Sequence, residues 1–317
     1  MSDDKALYEL VKAYIQERRR ARRWDLAFRL VKYTLVIIFL ISFLGSLGER
    51  QGAAELTRGE HTALIDVEGV IASSEAASAD NIVTALRKAM DARHSKAVIL
   101  RINSPGGSPV QAGVIYDEIK RLRSLHPDKK VYAVIADIGA SAAYYIAAAA
   151  DEIYADRASL VGSIGITMDA TGLASFGFTE AMKKLGIERR MITSGESKNF
   201  LDPFSSLKPD DIAHQQAMMD EVHRQFIEAV QQGRGKRLKP SKKLYSGLVW
   251  TGEKGVEMGL VDRLGSSSYV AREVIGAERI VDYTIRPSYF QQFTEGFGAA
   301  VARGLIQAGV ERSPQLR

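Results

Sequence analysis

Cysteine is absent from this 317-residue chain. Its absence excludes a disulfide framework, a thiolate nucleophile, an iron–sulfur cluster and a cysteine zinc site. The compartment stays open, since cysteine-free chains occur in oxidising and reducing spaces alike. No internal repeat or low-complexity block is visible. With 46% apolar residues the composition is that of an ordinary globular protein, which rules out collagen-like, coiled-coil and wholly disordered chains. No glycine-rich turn runs into Gly-Lys-Ser/Thr, so there is no P-loop. His214 and His223 are nine apart and lack the i, i+4 spacing of a helical zinc pair. Excess charge is scarce as well. Of the net +5, residues 1–32 carry +4, from nine cations against five anions. The body is nearly neutral and gives no support for nucleic-acid binding.

What is present begins with that basic segment. It leads into Tyr33–Gly48, sixteen residues without a charge. About 20 residues cross the hydrocarbon core. Extension back to Phe28 reaches that length, with Arg29 and Lys32 snorkelling to the headgroups. No polar face interrupts the run, as one would in a buried core helix. The charged lead is too long for the n-region of a cleavable signal peptide, despite the small residues Ser46 and Gly48. The expectation is an uncleaved single-pass anchor in inner-membrane lipid. Its cationic flank stays cytoplasmic and its body lies outside, in a bacterium in the periplasm or at the outer membrane face. The chain then divides into a basic cytoplasmic segment (1–32), an anchor (33–48), a polar linker (49–60), a main domain (61–285) and a C-terminal amphipathic tail (286–317).

Within the body, short apolar runs alternate with helical periodicity. Strands are expected at Ala63–Val67, Ala97–Ile102, Val131–Ala136, Ile153–Ala155 and within Leu160–Ile166. Helices are expected at Ala79–Asp91, Val110–Leu125 and Ala142–Ala150. The continuous runs suit strands covered on both faces. This order predicts an α/β fold with a mostly parallel sheet and flanking helices. Further on, Ile212, Met219, Val222, Phe226 and Val230 form one stripe over Pro209–Gln232, a core-facing helix closed by Gly233. Phe290–Ile306 carries a second stripe, suited to the body, a neighbouring copy or the bilayer.

Two glycine-rich turns and one serine offer chemistry. Ser104-Pro105-Gly106-Gly107 follows a buried strand, and its backbone N–H groups could face a phosphate or an acyl-transfer oxyanion. Equally, it reads as a plain strand-to-helix turn. Gly139-Ala140-Ser141-Ala142-Ala143 also follows a strand. It places Ser141 at a helix start among residues too small to shield its hydroxyl, as a nucleophile or as an N-cap. A serine nucleophile needs a base. The five histidines, His61, His94, His126, His214 and His223, sit in charged, turn-like or helix-surface contexts and read as solvated groups. Lysine is the other choice, provided burial lowers its pKa. Lys198, in a polar turn after the strand-like Arg190-Met191-Ile192, is the best-placed candidate.

Taken in order, Ser104-Pro105-Gly106-Gly107, Ala140–Tyr145, Gly162-Ser163-Ile164-Gly165, Ser194-Gly195-x-x-Lys198, Val249-Trp250-Thr251-Gly252 and Gly259-Leu260-Val261-Asp262-x-Leu264-Gly265 resemble the signal peptide peptidase A family. These are membrane-anchored serine–lysine peptidases with a Clp protease/crotonase-like fold. The length is that of the single-repeat form. The resemblance implies Ser141 as nucleophile, Lys198 as general base and Ser163 as the hydroxyl that orients the lysine. It implies Gly106 or Gly107 as oxyanion-hole donor, no cofactor or metal, and a ring-like homo-oligomer. The implied activity is an endopeptidase acting on apolar peptides such as signal-peptide remnants. Three features depart from the pattern. Ala143 stands where glycine is common, Glu196 puts a carboxylate two residues from Lys198, and the stretch Met168–Phe178 is longer than usual. A crotonase-like acyl-CoA enzyme and a catalytically silent membrane scaffold are the rival readings. A serine-reactive probe would label neither.

Overall fold

A computed structural model describes residues 59–167, 177–241 and 243–286, with helical residues scattered between 8 and 40. The chain forms two units, Gly59–Arg286 and the two tails outside it. Among the described residues no helix is long and apolar enough to cross a membrane. The expected anchor runs beyond the described residues at 41–48. Most of the linker and of the stretch after Thr167 also lies outside them, as does the amphipathic tail stripe.

The apolar runs become a parallel sheet because their side chains have partners on both faces. Strands β1 (His61–Glu68), β2 (Ser95–Ser104) and β3 (Val131–Ala140) pair in parallel. Each is longer than the apolar run that announced it. The third extends through Gly139-Ala140, which reads from sequence as a turn. This strand forks. Its first half pairs with β4 (Glu152–Ala155), and Ile138–Ala140 pairs with β5 (Leu160–Gly162). Antiparallel β6 (Val249–Thr251) closes that edge, while β7 (Arg263–Leu264) joins β4 and β8 (Ile280–Asp282) joins β1.

Alternation along the strands separates two cores. Ile65, Val67, Leu100, Ile102, Ala133 and Ile135 face the larger one. Leu64, Ile99, Tyr132 and Val134 face a smaller one under Val270 and Ala271. The larger core is covered by α1 (Ala79–Asp91), α2 (Pro109–Leu125) and α3 (Ala142–Ala148). Ser78 and Ser108 cap the first two through bonds to Asn81 N and Gln111 N, and Pro109 starts α2.

After the short α4 (Thr179–Lys184), α5 (Pro209–Arg234) departs from its expected role. Its stripe is not a core face throughout. Ile212 is exposed, and only Phe226, Ala229, Val230 and Arg234 are buried. The helix docks by its last third. Phe226 stacks on Tyr145 at 4.9 Å. Arg234, 1% exposed, makes a two-bond pair with Asp262 at 2.7 and 3.0 Å. Gly233 does not close the helix. It lies inside, where a Cβ would stand 1.9 Å from the Ala148 carbonyl oxygen, so glycine there permits α3 and α5 to touch. A further helix, α6 (Gly252–Met258), is capped by Thr251 and ends at left-handed Gly259.

Candidate active site

Ser141 sits where the β3 fork meets α3. Its backbone has φ 55° and ψ −125°, a conformation unfavourable for a residue with a Cβ. Two bonds hold it there: Ser141 N–H donates to the Gly162 carbonyl at 2.9 Å, and its own carbonyl accepts from Tyr145 N–H at 3.0 Å. The hydroxyl makes no helix-capping bond. The turn therefore presents Oγ instead of spending it on the helix. At seven residues, α3 is too short for its dipole to count for much.

The Ser104–Gly107 turn packs directly against this serine. A Cβ on Gly106 would lie 2.8 Å from Ser141 Cβ, and one on Gly107 would lie 2.2 Å from the Ile71 carbonyl oxygen. Both positions require glycine for space. Ile71 N–H donates to Gly106 O at 2.9 Å and Ser108 N–H to Ile71 O at 2.8 Å, which pins the turn to the chain after β1. The buried Ser104 hydroxyl accepts the Gly106 N–H at 3.1 Å. Of the two expected oxyanion donors, Gly106 is thus already engaged. Among the described residues no acceptor takes the Gly107 N–H.

Ser163 is the second strained serine, at φ 52°. Its N–H donates to Leu248 O at 2.8 Å, and Gly247 N–H donates to Ile164 O at 3.1 Å. Ser141 and Ser163 line one cleft of about 460 Å³, with Gly165, Ile166, Thr167, His223, Tyr245, Ser246 and Gly247. Strain of this kind clusters where a site over-determines the backbone. Ala143 is fully buried and lines no part of the cleft.

Sequence reasoning missed His223. It is half-buried at the cleft, not a solvated surface group, and its Nε2 lies 3.1 Å from the Ile164 carbonyl. A carbonyl only accepts, so the proton sits on Nε2 and Nδ1 is the atom left to take another. Arg224 and Gln225 after it are polar, and its place beside Val222 and one turn before buried Phe226 on α5 is the signal for this position. His61 is likewise buried. Its ring nitrogens contact Gly59 O and the Tyr283 hydroxyl, each at 3.0 Å.

Lys198 lies elsewhere. It stands exposed in the turn Gly195–Phe200, its N–H bonded to Gly195 O at 3.2 Å, and it is not among the residues lining the cleft. Glu196 is exposed too, and among the described residues no ion pair joins them. Arg190-Met191-Ile192 is coil, not strand, since no strand pairs with it among the described residues. In this single chain the structure brings together Ser141, Ser163, Gly106 and Gly107, without Lys198.

Comparison with known proteins shows what the chain is similar to. The profile of peptidase family S49 matches residues 123–278, and that of Clp protease matches residues 62–180. A Synechocystis sp. protein with a provisional protease name is 33% identical over 204 residues, covering 64% of this chain and 69% of that one. Protease 4 of Haemophilus influenzae is 35% identical over 225 residues, 69% of this chain and 35% of the relative. The Na(+)/H(+) antiporter NhaA of Brucella melitensis is 44% identical over 191 residues, 60% of this chain. The chain spans only 25% of that relative's length.

Proposed function

Since the chain belongs to peptidase family S49, the signal peptide peptidase A family, with a Clp protease-like α/β fold, we propose that it is a serine endopeptidase with Ser141 as nucleophile. The observation that carries this reading is the strained, uncapped Ser141 packed against the glycine turn at the cleft. Ser141 Oγ attacks a peptide carbonyl carbon and passes its proton to Lys198 Nζ. The Gly107 N–H receives the developing oxyanion. Lys198 returns the proton to the leaving amine, and water then releases the acyl group from Ser141. Ser163 orients the lysine amine.

A lysine serves as base only where burial strips its proton at neutral pH. Lys198 therefore acts when its stretch of chain folds over the cleft or when a neighbouring copy supplies it. Leu185, Ile187 and Ile192, exposed in that stretch, give an apolar surface for such a contact and support a homo-oligomer. The uncharged run 33–48 anchors the enzyme with its N-terminus cytoplasmic and its body outside, beside apolar peptides such as signal-peptide remnants.

His223 supports a second reading, Ser–His catalysis through Nδ1, because it already lines the cleft. The deciding experiment is signal-peptide digestion by the full chain and by its Ser141→Ala, Lys198→Ala and His223→Gln variants. Glutamine keeps a donor for Ile164 O. Inactive Ser141→Ala and Lys198→Ala with an active His223→Gln supports the dyad. An active Lys198→Ala beside an inactive His223→Gln selects histidine, and an active Ser141→Ala removes the peptidase reading. Activity restored by mixing Ser141→Ala with Lys198→Ala shows that the lysine comes from a neighbour.

A further inference from the structure

Among the described residues, three that are not glycine have a positive φ: Ser141, Ser163 and Leu201. The first two line the cleft. Leu201, at φ 56°, comes three residues after Lys198, in a stretch where no residue is buried. A bulky side chain stays in that backbone region only where its surroundings hold it. Here the surrounding bonds converge on its neighbour Asp202. The Asp202 N–H donates at 3.1 Å to the carbonyl of Asn199, the residue directly after Lys198. Its carboxylate accepts from Arg189 Nη1 and Ser205 Oγ, each at 2.6 Å, and from the Phe204 N–H. The Arg189 guanidinium also covers the Phe204 ring at 4.9 Å. Phe204 stacks on Phe178 at 5.3 Å, and the Phe178 N–H donates to Pro203 O at 2.8 Å. On the other side, the Phe200 ring meets that of His214 on α5 at 5.7 Å. The run 178–205 is thus a loop closed at its base, with Lys198 a few residues from the closure.

An isolated surface ion pair holds little. The adjacent pair of Arg190 and Glu188 is of that kind, with side chains 83% and 72% exposed. The Asp202 side chain is only 10% exposed, and its pair with Arg189 is joined to a hydroxyl, a backbone N–H and an aromatic ring. We propose that Asp202 and Arg189 are positioning residues of the peptidase: their pair fixes the turn that carries Lys198, so that the lysine reaches the cleft as part of one braced loop. This goes beyond the reading of Lys198 as general base and rests on it. Without the pair the lysine sits on a loose turn, and each delivery must order that turn again.

The test measures kcat and KM for signal-peptide digestion against pH, with the full chain and its Asp202→Asn, Arg189→Gln and Lys198→Ala variants. Asparagine keeps a carbonyl for the local bonds and removes the charge. Asp202→Asn should lower kcat roughly 10–100-fold with KM nearly unchanged. The midpoint of its rate profile should move up, toward the value of about 10.4 of a solvated lysine, because the lysine spends more time outside the dry site. Simple removal of a nearby carboxylate acts in the opposite direction, since it favours the neutral amine and moves the midpoint down. Arg189→Gln should behave alike, the double variant should be no worse than either alone, and Asp202→Glu should recover part of the rate. Neither side chain belongs to either core, so unfolding transitions should match the unaltered chain. Arg189→Gln decides if Asp202→Asn does not fold. Unaltered kcat and midpoint in Asp202→Asn beside an inactive Lys198→Ala overturn the proposal and leave the base reading intact. A lower kcat at an unshifted or lowered midpoint also overturns it, since the pair then only supports the fold. A fully active Lys198→Ala overturns the base reading and the proposal with it.

Discussion

Around Ser141 the chain is closed, whereas around Lys198 it is open. Ala142, Ala143, Tyr144 and the run Ile146–Ala150 are all buried, and the strands beneath them are buried on both faces. No residue from 177 to 225 is buried, and Ile192 is 99% exposed. The difference lies in what each stretch packs against. The serine turn is clamped by Gly106, Gly162 and Tyr145. Among the described residues the lysine turn is held by bonds within itself, from Lys198 N–H to Gly195 O and from Phe200 N–H to Ser197 O, and by the Phe200 ring against His214. A nucleophile can be built in advance by a rigid core, at the cost of backbone strain. A lysine base has to be kept dry, and a stretch without a core cannot do that until something covers it. The two halves of the proposed dyad are thus held by different levels of structure.

The contrast is broken most sharply at the two proposed catalytic groups. Ser141→Ala should lower the rate of peptide hydrolysis by about a thousandfold or more, and Lys198→Ala should match it, since groups acting as a unit are lost as a unit. Lys198→Arg should be no better, because a guanidinium stays protonated. Activity assays on folded variants check this, and full activity in Lys198→Ala would end the contrast. His223→Gln should cost less than about tenfold, because it keeps the bond to Ile164 O and removes only Nδ1. A pH–rate profile distinguishes a lost base from a disturbed cleft.

Stability should divide the same way. Arg234→Ala leaves the Asp262 carboxylate, with its side chain only 13% exposed, short of its main partner and should cost about 3–5 kcal/mol in denaturant unfolding. The acid response should also come from the closed side. Hydrogen bonds from Arg121 and Arg87 pull the Glu118 carboxyl from 4.5 down to about 2. The unfolded chain binds that proton first, so this contribution is present above pH 4.5 and fades as pH falls toward 2. Glu118→Gln should flatten that part of the stability–pH curve. The smallest effect belongs to the open side. Ile192→Asp should change unfolding stability by less than about 0.5 kcal/mol, as exposed substitutions do. It should nevertheless weaken self-association in light scattering. A large unfolding effect there would mean that the stretch around Ile192 is already packed.

Much of the site could be read from residue order, because its motifs are local. Gly106 and Gly107 announced a turn where side chains do not fit, and both prove to be sterically required. Ser141 stood among small residues at a strand–helix junction, where the structure places it. His223 could not be read in this way. Its signal was only its place between Val222 and Phe226 of the α5 stripe, and its partner Ile164 lies 59 positions away.

By itself, the sequence determined the alternation of strands and helices, the parallel sheet, the exclusion of thiol chemistry and the concentration of positive charge before an uncharged run. All of these follow from composition or from periods of a few residues. Tertiary structure alone decided that Gly106 touches Ser141 and that the Gly106 N–H is already taken by Ser104. It also buried His61, put His223 in the cleft, packed only the last third of α5 and left Lys198 in solvent. The physical reason is that side-chain periodicity marks which face is apolar but not how much of that face will find a partner. That depends on contacts between segments far apart in the chain, and residues 177–225 find none that buries them.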